Sequence, residues 1–267
     1  MPRTSLFTAA HRGGSGEPLL CIHGFTDTWR AWDLVLPALE RRHDVLAPTL
    51  PGHAGGPPLG AQVGHDTLLD ALERDLDAAG WRTAHVVGNS LGGYLALRLA
   101  ARGRARSVVA LAPGGGWADG DPSRERTFRH FAELREPLRR AAPQADAIVA
   151  TEEGRRRATQ DIAVHWEHIP TELLAHQIIG AAACDAEALA LFGATADWEL
   201  DAAAITCPVR IVWGTEDRLL PWPAAAARYR DAWLPHADWV VLDDVGHCPQ
   251  LDVPLETAEL ILGTTMG

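Results

Sequence analysis

The 267-residue chain contains no lysine; all 24 of its basic side chains are arginines, set against 35 acidic ones. That absence removes Schiff-base chemistry, which needs a lysine amine, and any Walker-type phosphate loop, which needs a lysine ammonium. A formal charge of −11 gives no electrostatic reason to bind a polyanion, so nucleic acid is not an expected partner. Cysteine is scarce as well: Cys21, Cys184, Cys207 and Cys248 lie far apart with no CxxC spacing, which suggests buried free thiols rather than a zinc cluster or a dithiol redox motif. No apolar run approaches the length of a transmembrane helix, and the N-terminal residues lack the apolar core and small-residue cleavage site of a secretory signal. The expectation is a cytoplasmic protein acting on a small molecule, with no membrane partner and an oligomeric state the sequence leaves open.

Hydrophobic residues make up 47% of the chain, enough for an ordinary core, and its length suits a single large α/β unit. Short apolar, β-branched runs recur at 19–22, 44–47, 85–87, 107–111, 209–213 and 239–242, with helical patterns between them. This is the sequence form of an α/β fold, a mostly parallel central sheet with helices on both faces. The spacing of Leu68, Leu69, Leu72 and Leu76 predicts a helix over 66–79 with Asp66 as N-cap, and a second is expected from Leu91 to Ala101, stopped by Gly103. From Trp117 to about Leu200 the strand-like runs vanish, and Pro122, Pro143 and Pro170 stand where they would open helices. The division expected is a core of residues 1–116 and 201–267 with an inserted helical cap, 117–200, of three or four helices.

The strongest local signal is Gly88-Asn89-Ser90-Leu91-Gly92-Gly93, placed between a strand run and a helical pattern. So tight a turn strains the central residue and demands small neighbours two positions away, which the two glycines supply; the Ser90 hydroxyl is then presented at the carboxyl end of the sheet. A serine hydroxyl needs a base and a group to orient that base. Asp217 follows the strand run 209–213 and His247 follows the next, giving the chain order serine, acid, histidine. Glu216, Asp243 and Asp244 are rival acids, read as solvated turn residues. Two N–H donors are required for the oxyanion; they are assigned to Leu91, after the serine, and to Phe25 in His23-Gly24-Phe25, with His23 and Gly24 supporting that loop.

Through these four segments the chain resembles the α/β-hydrolase superfamily from about Glu17 to the C-terminus, except for the helical stretch, which carries no matching motif. The resemblance implies a Ser-His-Asp triad, a cap over the site, and no metal or organic cofactor. Aspartate-nucleophile members such as epoxide hydrolases and haloalkane dehalogenases fit poorly because residue 90 is serine, and HGGG-type lipases because this loop reads HGFT. The elbow is similar to that of carboxylesterases and of carbon–carbon bond hydrolases acting on ring-cleavage products. A carboxylesterase-like reaction through an acyl-enzyme is the expectation. The alternatives are carbon–carbon cleavage, whose carboxylate substrate would want an arginine from the cap, and a non-catalytic ligand receptor on the same fold. Trp117, Trp166 and Trp198 bracket or sit inside the helical stretch and are candidates for lining an apolar pocket, plain packing being the other reading. His165 and His168 are read as surface or packing residues rather than metal ligands, and the arginine runs at 139–140 and 155–157 as solvated helix faces.

Overall fold

The computed structural model describes residues 7–59, 63–64, 66–185 and 198–266. Seven strands, β1 (Ala10–Gly14), β2 (Glu17–Ile22), β3 (His43–Pro48), β4 (Ala84–Asn89), β5 (Ala105–Leu111), β6 (Val209–Gly214) and β7 (Asp238–Leu242), form one sheet in the order β1-β3-β2-β4-β5-β6-β7. All neighbours are parallel except β1, which runs antiparallel to β3. Period-two alternation sorts the central strands between two cores. Leu20, Ile22, Val86, Val108 and Ile211 join one cluster, and Leu19, Cys21, Val87, Val109 and Val212 the other. Burial on both faces is why these strands read as continuous apolar runs.

Helix α1 (Leu36–Leu39) packs on the second face, whereas α2 (Thr67–Ala78) and α3 (Leu91–Ala101) cover the first. Both longer helices stand where the leucine spacing and the glycine stop predict them, and Gly103 has φ +71, the left-handed conformation that ends α3. Asp66 does occupy the N-cap position of α2, but its side chain makes no capping bond. Its carboxylate is drawn instead to Arg98 Nη2 (2.6 Å) and Arg102 Nη2 (3.0 Å), a charge-assisted alternative stronger than a neutral cap. Strand β1 has no apolar alternation and is not legible in the sequence. It is an exposed edge strand held by its backbone register and by the two bonds from Arg12 to Asp44 (3.1 and 2.8 Å).

Between β5 and β6 the described chain is helical: α4 (Pro122–Ala141), α5 (Ala145–Val149), α6 (Glu152–Thr159) and α7 (Thr171–Ala183). Residues 186–197 of the expected cap lie outside the described residues. Pro122 opens α4, Pro143 sits in a single 3-10 turn before α5, and Pro170 is the N-cap of α7. A third apolar cluster, including Val149, Leu173, Leu174 and Ile178, packs these helices on Leu251 of α8 (Pro249–Asp252), the short helix that precedes α9 (Pro254–Thr265). The helical segment is therefore anchored on the loop that carries His247. No helix among the described residues is long and apolar enough to cross a membrane.

Candidate active site

Strand β4 ends at Asn89 and α3 begins at Leu91, leaving Ser90 as the one-residue turn between them, at φ 56 and ψ −117. A side chain in that region costs about 1–3 kcal/mol and persists only where the surroundings impose it. Here close backbone approach imposes it. A Cβ on Gly88 would lie 2.1 Å from the Gly92 carbonyl oxygen, and one on Gly92 2.1 Å from that of Ile22, so strand, turn and helix pack with no room for side chains. The 23–25 loop abuts the same turn, since a Cβ on Gly24 would stand 3.3 Å from Ser90 Cβ.

Asp217 and His247 meet at the carboxyl ends of β6 and β7. His247 Nδ1 donates to Asp217 Oδ2 at 2.7 Å, and the other carboxylate oxygen accepts the backbone N–H groups of Leu219 (3.0 Å) and Leu220 (2.7 Å). Both side chains are buried. With Nδ1–H committed to the carboxylate, Nε2 is left with its lone pair. Ser90 and His247 line one cavity of about 150 Å³, together with Gly24 and Phe25; among the described residues no hydrogen bond joins Ser90 Oγ to the imidazole. Such bonds are commonly long without substrate and tighten when it binds. The backbone N–H groups of Phe25 and Leu91 donate to no other group among the described residues, which leaves them available to an oxyanion.

Two residues that the sequence reading passed over hold His247 in place. Asn89, the variable position of the elbow motif, donates Nδ2 to the carbonyls of His247 (3.0 Å) and Leu111 (3.2 Å), while its Oδ1 accepts from Gln250 Nε2 (3.2 Å) and Cys248 Sγ (3.3 Å). The serine turn and the histidine loop are thereby tied through one side chain. Buried Asp252 accepts three backbone N–H groups, from Gly246 (2.6 Å), Val164 (2.9 Å) and His165 (2.7 Å), and so pins the histidine loop to the segment between α6 and α7. The available signal was only that an acidic residue five positions beyond His247 sits in an apolar run.

His23 bonds both sides of its loop: Nε2 accepts the Leu50 N–H (2.9 Å), so Nδ1 donates to Gly24 O (2.7 Å). Burial and the neighbouring His53 hold its pKa well below the ordinary imidazole value, and burial lowers His53 and His176 to about 4. The unfolded chain takes up protons at His53 and His176 near pH 6.5 and the folded chain only near pH 4, so their contribution to stability is whole above pH 6.5 and falls between the two. His53, fully enclosed, removes about 3 kcal/mol once the pH is below 4, and His176 acts in the same direction. The urea midpoint is expected to drop steeply from pH 7 to 4.5; His53→Gln should flatten that drop, and an unchanged midpoint would contradict it.

The rival acids are exposed. Asp243 accepts from Thr215 Oγ1 (3.2 Å) and Asp244 pairs with His165 (3.7 Å), while Glu216 lines a neighbouring polar cleft. His168 bonds the Leu251 carbonyl (2.8 Å), and no group of residues able to hold a metal occurs among those described. The tryptophan expectation is corrected. Trp117 and Trp198 are buried in the first-face core, and Trp166 packs in the third cluster beneath Arg155; none of the three lines the cavity of Ser90. Its apolar wall comes instead from Phe25, Phe131, Leu134, Leu138, Leu174 and Ile178. Large aromatic rings were drawn into the cores, where they bury most area.

Comparison with known proteins agrees with this architecture. The chain is 34% identical over 200 residues to an epoxide hydrolase of Mycobacterium tuberculosis, covering 73% of this chain and 91% of that one. It is 30% identical over 272 residues to a pimeloyl-[acyl-carrier protein] methyl ester esterase of Aromatoleum aromaticum, covering 93% and 98%. Among solved structures, the 2-hydroxy-6-oxo-6-phenylhexa-2,4-dienoate hydrolase of Rhodococcus sp. strain RHA1 superposes with a TM-score of 0.74 at 19% identity, over 97% of this chain and 94% of that one. Residues 19–260 match the alpha/beta hydrolase family as a whole, and with the parallel sheet and its one-residue serine turn this shows that the chain is a hydrolase of the alpha/beta hydrolase family.

Proposed function

We propose that this hydrolase cleaves a short, neutral carboxylic ester through an acyl-enzyme, with the helices of residues 117–200 serving as a cap over the site. The observation that carries the reading is the strained Ser90 turn on the same cavity wall as a buried histidine oriented by aspartate. Ser90 Oγ attacks the carbonyl carbon as His247 Nε2 takes its proton; the tetrahedral oxyanion is held by the N–H groups of Leu91 and Phe25. The carbon–oxygen bond then breaks, His247 protonates the departing alcohol, and a water deprotonated by the same nitrogen releases the acid and restores Ser90. A cavity of about 150 Å³ lies below the usual ligand-pocket range of about 300–1,000 Å³, which favours short groups on either side of the ester.

Chemistry separates this reading from its neighbours. Attack of a serine oxygen on an epoxide carbon would open the ring but leave the substrate attached to Ser90 as an ether, with no carbonyl for water to attack. Turnover would stop after one event, so the epoxide hydrolase relative does not set the reaction here. Carbon–carbon cleavage of a ring-cleavage product brings a carboxylate into the pocket, yet the cavity lining contains Asp27 and Asp161 and no arginine among the described residues. Arg156 and Arg157 line the adjoining cleft instead.

Short p-nitrophenyl esters, a dienoic ring-cleavage product and styrene oxide should be assayed side by side, with fluorophosphonate labelling of Ser90. Turnover of the esters alone, with label on Ser90, is the expected result. Turnover confined to either other substrate would replace the ester reading, and absence of both label and turnover would favour a ligand receptor.

A further inference from the structure

The cavity carries polar groups that ester cleavage does not use. Gln177 on α7 and His130 on α4 both line it. Gln177 Nε2 donates to Asp27 Oδ2 at 2.9 Å, and Asp27 Oδ1 accepts the Thr28 N–H at 2.8 Å. A carboxylate can only accept, so the Gln177 amide must turn its nitrogen toward Asp27 and its oxygen away. That oxygen is buried and has no hydrogen-bond partner among the described residues. His130 Nε2 is likewise buried without a hydrogen bond, because Asp161 Oδ2, at 3.3 Å, lies out of line. Burial raises the Asp27 carboxyl to about 6, which still leaves it mostly ionised at neutral pH and fixes the direction of the amide.

Leaving a polar atom unpaired in the interior costs about 1–3 kcal/mol, and two such atoms belong to residues on one cavity wall. A ligand that pairs with them recovers part of that cost. We infer that Gln177 and His130 form a hydrogen-bonding subsite for a neutral hydroxyl group on the substrate, away from the scissile carbonyl. A hydroxyl both donates, to Gln177 Oε1, and accepts, from an Nε2–H of His130. A carboxylate cannot donate to the amide oxygen and would face Asp27 and Asp161, and an ammonium cannot accept from the imidazole. The inference rests on the ester reading for its substrate class and on the two orphaned atoms for its location. Both lie on the helical segment, so the preference is written on the cap helices rather than on the sheet that presents Ser90.

The test compares esters that differ by one hydroxyl: ethyl butanoate with 2-hydroxyethyl butanoate, and p-nitrophenyl propanoate with its 3-hydroxy analogue. In one of the two pairs the hydroxyl is expected to raise kcat/KM about tenfold, the worth of one buried hydrogen bond, and Gln177→Met is expected to bring that ratio close to one. Because the readout is a ratio within one protein, damage to folding or to the histidine cancels. A ratio near one for wild type in both pairs, or an elevated ratio that survives Gln177→Met, overturns the subsite. Affinities of the same four esters for Ser90→Ala protein, by titration calorimetry, test it without turnover: a hydroxyl preference lost in the Ser90→Ala, Gln177→Met double variant supports it, and equal affinities sink it. Failure of ester hydrolysis is thus told apart from failure of the subsite.

Discussion

Ser90→Ala protein is expected to lose ester hydrolysis by about 10⁴-fold or more in kcat while unfolding at the wild-type urea concentration. The loss follows from the covalent step: without Oγ nothing forms the acyl-enzyme, and only the oxyanion donors and the binding cavity remain to assist water. Preservation of the fold follows from the turn. Ser90 Oγ has no hydrogen bond among the described residues, and alanine at φ 56 bears much the same backbone strain as serine. Hence the two measurements must separate. Residual activity above about a tenth of wild type in a pure preparation would remove Ser90 from the reaction, and a collapsed unfolding midpoint would mean that the side chain holds the turn together.

How much of this was legible before any coordinates depended on what kind of force placed each residue. The central parallel strands could be read because burial on both faces leaves runs such as Leu19–Ile22 and Ile211–Trp213 wholly apolar. Strand β1 could not, since its sequence, Ala-His-Arg-Gly-Gly, carries no apolar pattern and its placement is decided by the free edge of β3. The serine turn was legible because steric exclusion at Gly88 and Gly92 dictates residue type at fixed spacing. Asn89, Asp252 and Gln177 were not: their roles arise from hydrogen bonds to backbone or side chains more than a hundred positions away, or to a loop whose path only the fold defines. The tryptophans misled for a related reason. Position inside the helical stretch says nothing about which face a ring takes, and the apolar cores competed for Trp117, Trp166 and Trp198 more strongly than the cavity did.

Asp217→Asn is expected to lower kcat/KM by about 10⁴-fold with little change in stability, and the surroundings of the carboxylate explain both halves. Oδ1 of Asp217 accepts two backbone N–H groups, from Leu219 and Leu220, while Oδ2 faces His247 Nδ1. An asparagine must keep its oxygen on the two amides, because turning its NH₂ toward them would set donors against donors. The NH₂ is then forced toward His247 and donates to Nδ1, which moves the ring proton to Nε2, the nitrogen that must accept the Ser90 proton. All hydrogen bonds around residue 217 survive, so the urea midpoint holds, but the base is present in the wrong tautomer. Asp217→Ala should behave differently, leaving the Leu219 and Leu220 N–H groups unpaired in a buried loop and costing about 1–3 kcal/mol for each. A loss below tenfold for Asp217→Asn, read by steady-state kinetics on the same short esters, would mean that the imidazole orientation is set elsewhere.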